Sequence, residues 1–460
     1  MKRIIIFISL QTYLRNWIDA GAFNEIQKKY NVLFVIPEYD WDPKEIENYG
    51  ISNYCIIKQS EWRKFLFRRM LLITMVRYSN RSMAFKIKTQ NFSGGMKYLH
   101  HLISKNGFYQ LFMFLCEKIL GIWPQLNQTI KSFNPDLIIA PSLAADSFTI
   151  DLTLTANIKK IKSIILINSW DNLVSKGVIP IQPSYLGLWG HQSIKHAVEV
   201  QQMPKNKLII LGVPRFESYF EKIKVSDKIH RFNNIPSSKK IILYAATVMP
   251  FDDISALKLL NDELVKNPDY KDYIILFRAH PEMMSRVDEV NLEDCNFEKV
   301  FLDKHTSNFY RARFNGTAKP STINETSLDY YPTLLKNIVC IVGPPTTLTL
   351  EGLINGKPCL MICYNDGRNH HLSPEKMSKF ENVREVLSLE GVYPCYQEAE
   401  LLKNFKKVIN VSSDDKLSKK IIQATDRFVY SDRLTYSKRL YNFTEKIFKK
   451  TDFLSNHGNK

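Results

Sequence analysis

The stretch from Asn337 to Asn365 constrains the fold more than any other part of the chain. It runs as an apolar segment from Ile338 to Val342, a Gly343-Pro344-Pro345 break, and a hydroxyl-rich helix start at Thr346 and Thr347. A short helix ended by Gly356-Lys357-Pro358 and a second apolar segment from Cys359 to Cys363 follow. Neither segment alternates, so each predicts a strand covered on both faces, as in a parallel sheet. Strand, helix, strand in that order puts the Gly-Pro-Pro joint at a carboxyl end of the sheet. Open α/β folds bind ligands there, and a helix start offers N–H groups and positive dipole to an anion. The plainer reading is a structural helix capped by Thr346 and Thr347, with Glu351 complementing its dipole.

At 460 residues the chain exceeds one ordinary core and predicts two domains, and 45% hydrophobic content is ample for both. Ile4 to Ile8, after Lys2 and Arg3, reads as a first buried strand. A signal peptide is disfavoured, because the run is short and Gln11, Arg15 and Asp19 follow without a small-residue cleavage site. No other segment offers the roughly twenty uninterrupted apolar residues of a membrane span. Seven scattered cysteines without CxxC pairs argue against a disulfide framework or structural zinc and fit a reducing cytoplasm.

Taken in order, Lys2 to Ile8 and Val32 to Ile36 are strands flanking a helical pattern from Trp17 to Tyr30, one βαβ unit. Asp136 to Ala140, broken by Pro141, Ile164 to Asn168, Tyr185 to Trp189 and Leu208 to Leu211 complete a first sheet. A polar stretch after Phe216 marks the domain boundary. Lys240 to Ala246 and Tyr273 to Phe277 then join the two strands of the opening stretch in a second sheet, while 302–326 reads as a loop. The last helices, about Lys416 to Lys449, are long enough to return to the first domain. The expected domains are 1–215, with a basic helical insertion at about 58–130, then 216–425, then a C-terminal helix and tail at 426–460.

The formal net charge is +17 and unevenly spread. Between Lys58 and Lys105 eleven Lys or Arg residues face the single acid Glu61, interleaved with Trp62, Phe65, Phe67, Met70, Phe85 and Phe92 among others. Such a stretch suits an anionic membrane surface, a phosphorylated polymer or nucleic acid, or simply a solvated helical face.

Three loops fall at carboxyl strand ends of the second half: Ala245-Ala246-Thr247, Arg278-Ala279-His280-Pro281, and Gly343 to Thr347 with Glu351. Together they offer a guanidinium for bidentate phosphate contact, an imidazole, backbone N–H groups and hydroxyls, which a nucleotide diphosphate would use, and Glu351 suits ribose hydroxyls. No G-x-G-x-x-G follows the first strand and no Walker A motif is present, which disfavours NAD binding and ATP hydrolysis.

Gly-x-Pro-Arg at Gly212 to Arg215, strand-Arg-x-His-Pro at Arg278 to Pro281, and the Gly343 to Pro358 pattern, with its Glu351-Gly352 and Gly356-Lys357-Pro358, resemble the C-terminal half of GT-B glycosyltransferases. The nearest branch is the bacterial surface-polysaccharide one that includes CDP-glycerol glycerophosphotransferases and non-hydrolysing UDP-GlcNAc 2-epimerases. The resemblance covers about residues 205 to 400 and extends to the first half only by architecture. It implies an α/β GT-B fold: two Rossmann-like domains facing across a cleft, with C-terminal helices crossing back to the first domain. It also implies donor binding by the second domain, with Arg278, His280, Gly343, Thr346, Thr347 and Glu351 at donor positions, and acceptor binding by the first. Glycerophosphotransferases usually carry Asp-Tyr-Ser-Ser where this chain has Gly343-Pro344-Pro345-Thr346-Thr347, which weakens the polyol-phosphate reading.

Transfer with inversion needs a general base on the acceptor hydroxyl. Asp171, in Ser169-Trp170-Asp171-Asn172, is the first choice and Asp146 the second; a hydrogen-bonded turn at Asp171-Asn172 is the plainer account. Asn172, Lys176, His191, Arg215, Thr247, His370 and His371 are further cleft residues. Nothing in their spacing forms a metal site, so neither metal nor other cofactor is expected. The expected activity is transfer of a sugar from a nucleotide-activated donor to a glycan or lipid-linked acceptor in cell-surface polysaccharide synthesis. It would take place in the cytoplasm, against an anionic membrane surface and without specific nucleic acid. Alternatives are a CDP-polyol phosphotransferase and a non-catalytic basic protein bound to membrane or anionic polymer.

Overall fold

The computed structural model describes residues 1–38, 43–90, 95–144, 146–221, 226–247, 251–280, 295–306, 326–367 and 372–457. The chain divides into two compact units, one of residues 1–217 with 427–460 and one of residues 218–426. Each is built on a parallel sheet. The first sheet has the order β3-β2-β1-β4-β5-β6-β7. Its strands are β1 (Arg3–Phe7), β2 (Asn31–Pro37), β3 (Tyr54–Ile57), β4 (Leu137–Ser142), β5 (Lys162–Ile167), β6 (Tyr185–Leu188) and β7 (Leu208–Ile210). The second sheet has the order β10-β9-β8-β11-β12-β13. It consists of β8 (Lys240–Ala245), β9 (Tyr273–Arg278), β10 (Val300–Leu302), β11 (Ile338–Gly343), β12 (Cys359–Ile362) and β13 (Val392–Cys395).

The unbroken apolar runs are explained by burial on both faces. Ile4 and Ile6 of β1 pack on one side with Ile139, Trp17 and Leu440, while Ile5 and Phe7 pack on the other with Ile138, Trp123 and Leu126. Strand β4 does not stop at Pro141. Its pairing with β1 ends at Ile139, so the prolyl nitrogen, which has no hydrogen to give, lies beyond that ladder, and β4 continues beside β5 to Ser142. Strands β3, β10 and β13, absent from the sequence reading, are the short outer strands of their sheets, and β13 carries Pro394 where an edge tolerates it.

The C-terminal segment divides between the units. Helix Asp415–Thr425 packs on helix Thr347–Ile354 in the second unit. From Arg427 the chain belongs to the first: Tyr430 N–H donates to the Trp189 carbonyl at 2.8 Å, and the buried Arg439 donates to Leu211 O and to Asp432, both at 2.7 Å. Helix Tyr436–His457 then adds Tyr436 and Leu440 to the core around β1.

The basic stretch is not one solvated face. Phe67, Met70 and Phe85 are core residues. Arg63, only 2% exposed, donates to both carboxylate oxygens of the buried Asp151 and to the carbonyl of Leu120. A buried charge persists only where it is paired this fully. Among the described residues, no helix is long and apolar enough to cross a membrane.

Candidate functional site

In the second sheet the chain moves outward from β8 through β9 to β10, then returns to the other side of β8 for β11, β12 and β13. The reversal falls between β8 and β11, and their carboxyl ends form the crevice in which open α/β sheets take ligands. Gly343 ends β11 there with φ +148, and a Cβ on it would stand 2.4 Å from the Ala245 carbonyl oxygen that ends β8. Only glycine closes this joint. Helix Thr347–Ile354 opens immediately afterwards, and Gly352 lets it sit directly on Ile341 of β11. The Thr346 hydroxyl caps the helix by accepting the Leu348 N–H at 2.9 Å, as the plainer sequence reading has it. The other N–H groups of a first helical turn have no acceptor within the helix itself, and the helix dipole is positive at this end.

Glu351, one turn along, is 8% exposed and accepts a hydrogen bond from the Tyr219 hydroxyl. Thr346 and Thr347 are partly exposed, Thr247 is buried just past β8, and His280 is partly exposed just past β9. Arg278 differs from the expectation of a phosphate-gripping guanidinium. It is 3% exposed, pairs with Asp303, and donates through Nε to the Tyr331 hydroxyl at 3.0 Å. Tyr330 donates to the second Asp303 oxygen at 2.7 Å. This buried network joins the carboxyl ends of β9 and β10 to helix Tyr330–Asn337, so Arg278 shapes the rim of the crevice from within.

In the first sheet the reversal lies between β1 and β4. Asp146, after β4, caps helix Ser147–Ile158: one carboxylate oxygen accepts the Thr149 N–H at 2.7 Å and the other the Ser142 hydroxyl at 2.9 Å. Burial raises its pKa, and the bonds from Thr149 and Ser142 pull against that rise. Asp171 is placed differently. Its Oδ2 accepts from Ser175 Oγ at 3.1 Å and lies 4.0 Å from Lys176 Nζ, whereas its buried Oδ1 has no hydrogen-bond partner among the described residues. The neighbouring Asn172 is fully buried, accepts the Ser169 N–H at 2.7 Å, and leaves its Nδ2 likewise unpartnered. The fully buried Ser9 hydroxyl, just past β1, is a third such group. Buried polar atoms without a protein partner are ordinarily met by water or a ligand, and these three lie beyond the carboxyl ends of one sheet.

Arg215 donates to the Asn168 carbonyl at 3.1 Å and stacks over Trp189 and Phe216. His191 is exposed at the start of helix His191–Glu199. His370 and His371 lie outside the described residues. Asp171, Asn172 and Lys176 are thus gathered after β5, and Gly343, Thr346, Thr347, Glu351 and Thr247 around the second reversal. Sequence reasoning missed Ser9, Tyr219, Asp303 and Tyr331. The position of Ser9 at the end of an apolar run was a usable signal; Tyr219 lies 132 residues from Glu351 and gave none. No group of three or more His, Cys, Asp or Glu gathers as a metal site among the described residues.

Residues 191–309 match the model of the CDP-Glycerol:Poly(glycerophosphate) glycerophosphotransferase family. No curated protein matches the chain. Among solved structures, an S. aureus MnaA–UDP co-structure is similar with a TM-score of 0.55 at 11% identity, over 98% of this chain and 97% of that one. A UDP-GlcNAc 2-epimerase from Neisseria meningitidis bound to UDP-GlcNAc gives 0.54 at 14%, over 96% and 100%. A glycosyltransferase from Rickettsia africae gives 0.50 at 13%, over 98% of each chain. Identities this low speak for the fold alone. The chain therefore has the α/β GT-B fold along its length and, over residues 191–309, is similar in sequence to the glycerophosphotransferase family.

Proposed function

We propose that the protein is a GT-B glycosyltransferase that moves a sugar from a nucleotide-sugar to a glycan or lipid-linked acceptor in the synthesis of a cell-surface polysaccharide. The observation that carries this reading is the reversal at Gly343. There the start of helix Thr347–Ile354 meets the donor diphosphate, and Glu351, steadied by Tyr219, accepts from the ribose hydroxyls. Relatives of the fold solved with UDP and with UDP-GlcNAc support a nucleotide-sugar as the donor. In the reaction the acceptor oxygen bonds to the anomeric carbon, the bond from that carbon to the diphosphate breaks, and the nucleoside diphosphate leaves. Asp171, with an oxygen that has no partner among the described residues, takes the acceptor proton. Asp146, with one oxygen capping a helix and the other accepting from Ser142, is the less available candidate.

A second reading, polyol-phosphate transfer from a CDP donor, is favoured by the family match. There the acceptor oxygen bonds to phosphorus and CMP leaves. That match ends at residue 309, before the stretch from Gly343 to Thr347 in which the chain departs from the glycerophosphotransferase pattern.

A thermal-shift screen of UDP-, GDP-, CDP- and CMP-linked compounds tests both. Stabilisation by a nucleoside diphosphate sugar, lost in Glu351→Ala and kept in Asp171→Asn, is the expected result. Release of CMP from a CDP-polyol would establish the second reading instead. No response to any nucleotide overturns both.

A further inference from the structure

Helix Asn106–Leu120 is apolar on two sides. Met113, Cys116 and Leu120 close one side over Phe67, Met70 and Leu154. The opposite side carries Phe108, Leu111, Leu115 and Ile119 at helical spacing, each between 48% and 63% exposed. A helix that is apolar around its circumference is normally enclosed, so this face lacks its cover. Helix Glu61–Arg77 runs antiparallel beside it: Arg63 donates to the carbonyl of Leu120, and Arg77 donates to Ser104 O at 3.0 Å and Asn106 Oδ1 at 2.8 Å. That register brings the exposed Trp62 and Phe65 to the Ile119 end of the face. Helix Gly95–Ile103, packed against both, adds the exposed Tyr98, Leu99 and Leu102.

Cations sit among these residues. Arg69 lies over the Phe65 ring at 4.9 Å and Lys118 over Phe114 at 5.5 Å. From Lys58 to Leu120 there are twelve Lys or Arg against Glu61 and Glu117, but Arg63 is buried on Asp151, and Arg81 and Lys88 donate to the Glu199 and Ser175 carbonyls away from this face. The face is thus centred on 98–119, with Arg68, Arg69, Lys105 and Lys118 on or beside the helices that form it.

We propose that this three-helix face docks on an anionic lipid bilayer, aliphatic and aromatic side chains entering the acyl boundary and the surrounding cations meeting the headgroups. Charge decides against the other apolar occupant, a second copy of the chain, because a two-fold interface would set the same cations against one another. The aliphatic centre of Leu111, Leu115 and Ile119 decides against nucleic acid, whose charged backbone would have to cover it without gaining a polar partner. The inference does not depend on the donor assignment.

Vesicle flotation of the full chain tests it, with phosphatidylcholine vesicles compared with vesicles containing phosphatidylglycerol. Flotation is expected only with the anionic vesicles, falling as salt rises. The double variant Leu111→Glu, Leu115→Glu, altered only at exposed positions, should lose binding roughly tenfold or more while keeping its melting temperature and nucleotide response. Equal flotation of the variant, flotation indifferent to lipid charge, or none at all overturns the proposal. So does a concentration-dependent dimer that the double variant dissociates.

Discussion

Lys357 sits in the Gly-Lys-Pro turn that feeds β12, with its amine mostly removed from water and bonded to the Lys336 carbonyl at 3.4 Å. Burial, reinforced by the charge of Lys336, lowers its pKa from 10.5 to about 8. The folded chain releases this proton near pH 8 and the unfolded chain holds it to about pH 10.5, so between these values the unfolded state binds more protons and stability rises with pH. The penalty is fully present below pH 8. Lys357→Met should therefore raise stability at pH 7 by about 1–2 kcal/mol, and its advantage should shrink as urea melts are repeated up to pH 10. An advantage independent of pH would remove the amine as the cause. Arg278 makes a contrasting case. Its place at the end of a strand drew attention to it, but its partners Asp303 and Tyr331 stand 25 and 53 residues away, and no local pattern could say that the guanidinium turns inward.

At the scale of elements, the strand, helix and strand from Ile338 to Ile362 were legible because two continuous apolar runs, a Gly-Pro-Pro break and a Gly-Lys-Pro stop all point to the same structure. The outer strands β3, β10 and β13 were not. With three or four residues each, and only one neighbour, they have too little pattern to separate from loop. The joint at Gly343 depends on contact between neighbouring elements. Gly343→Ala places a methyl group against the Ala245 carbonyl in a backbone region unfavourable to side chains, so β8 and β11 must separate where the diphosphate is proposed to bind. We expect a loss of about 2–4 kcal/mol in denaturant titration together with a weakened nucleotide response. A neutral substitution would show that the two strand ends tolerate separation. The polar groups after β5 were partly legible: Asp171 and Asn172 stand out as a dipeptide after a strand, yet only coordinates reveal that one oxygen and one amide lack partners.

For the whole molecule, the decisive fact is that the first unit is discontinuous in sequence and the second is not. Residues 218–426 should fold as a separate fragment with cooperative unfolding. Residues 1–217 alone, lacking Tyr436 and Leu440 from the core around β1 and the Arg439 bonds to Leu211 and Asp432, should not, and adding 427–460 as a second polypeptide should restore them. Circular dichroism melts of the fragments separate these outcomes, and a stable 1–217 fragment would contradict the importance assigned to the closing helix. The return of that helix also imposes an order in time. At about 5–20 residues per second of synthesis, the chain between Glu217 and Arg427 takes tens of seconds to appear. Throughout that interval the earliest strands wait, without the helix that completes them, while the later-made unit can already fold. The nascent chain thus passes through a long period with its first-made apolar surface uncovered, when chaperone engagement matters most.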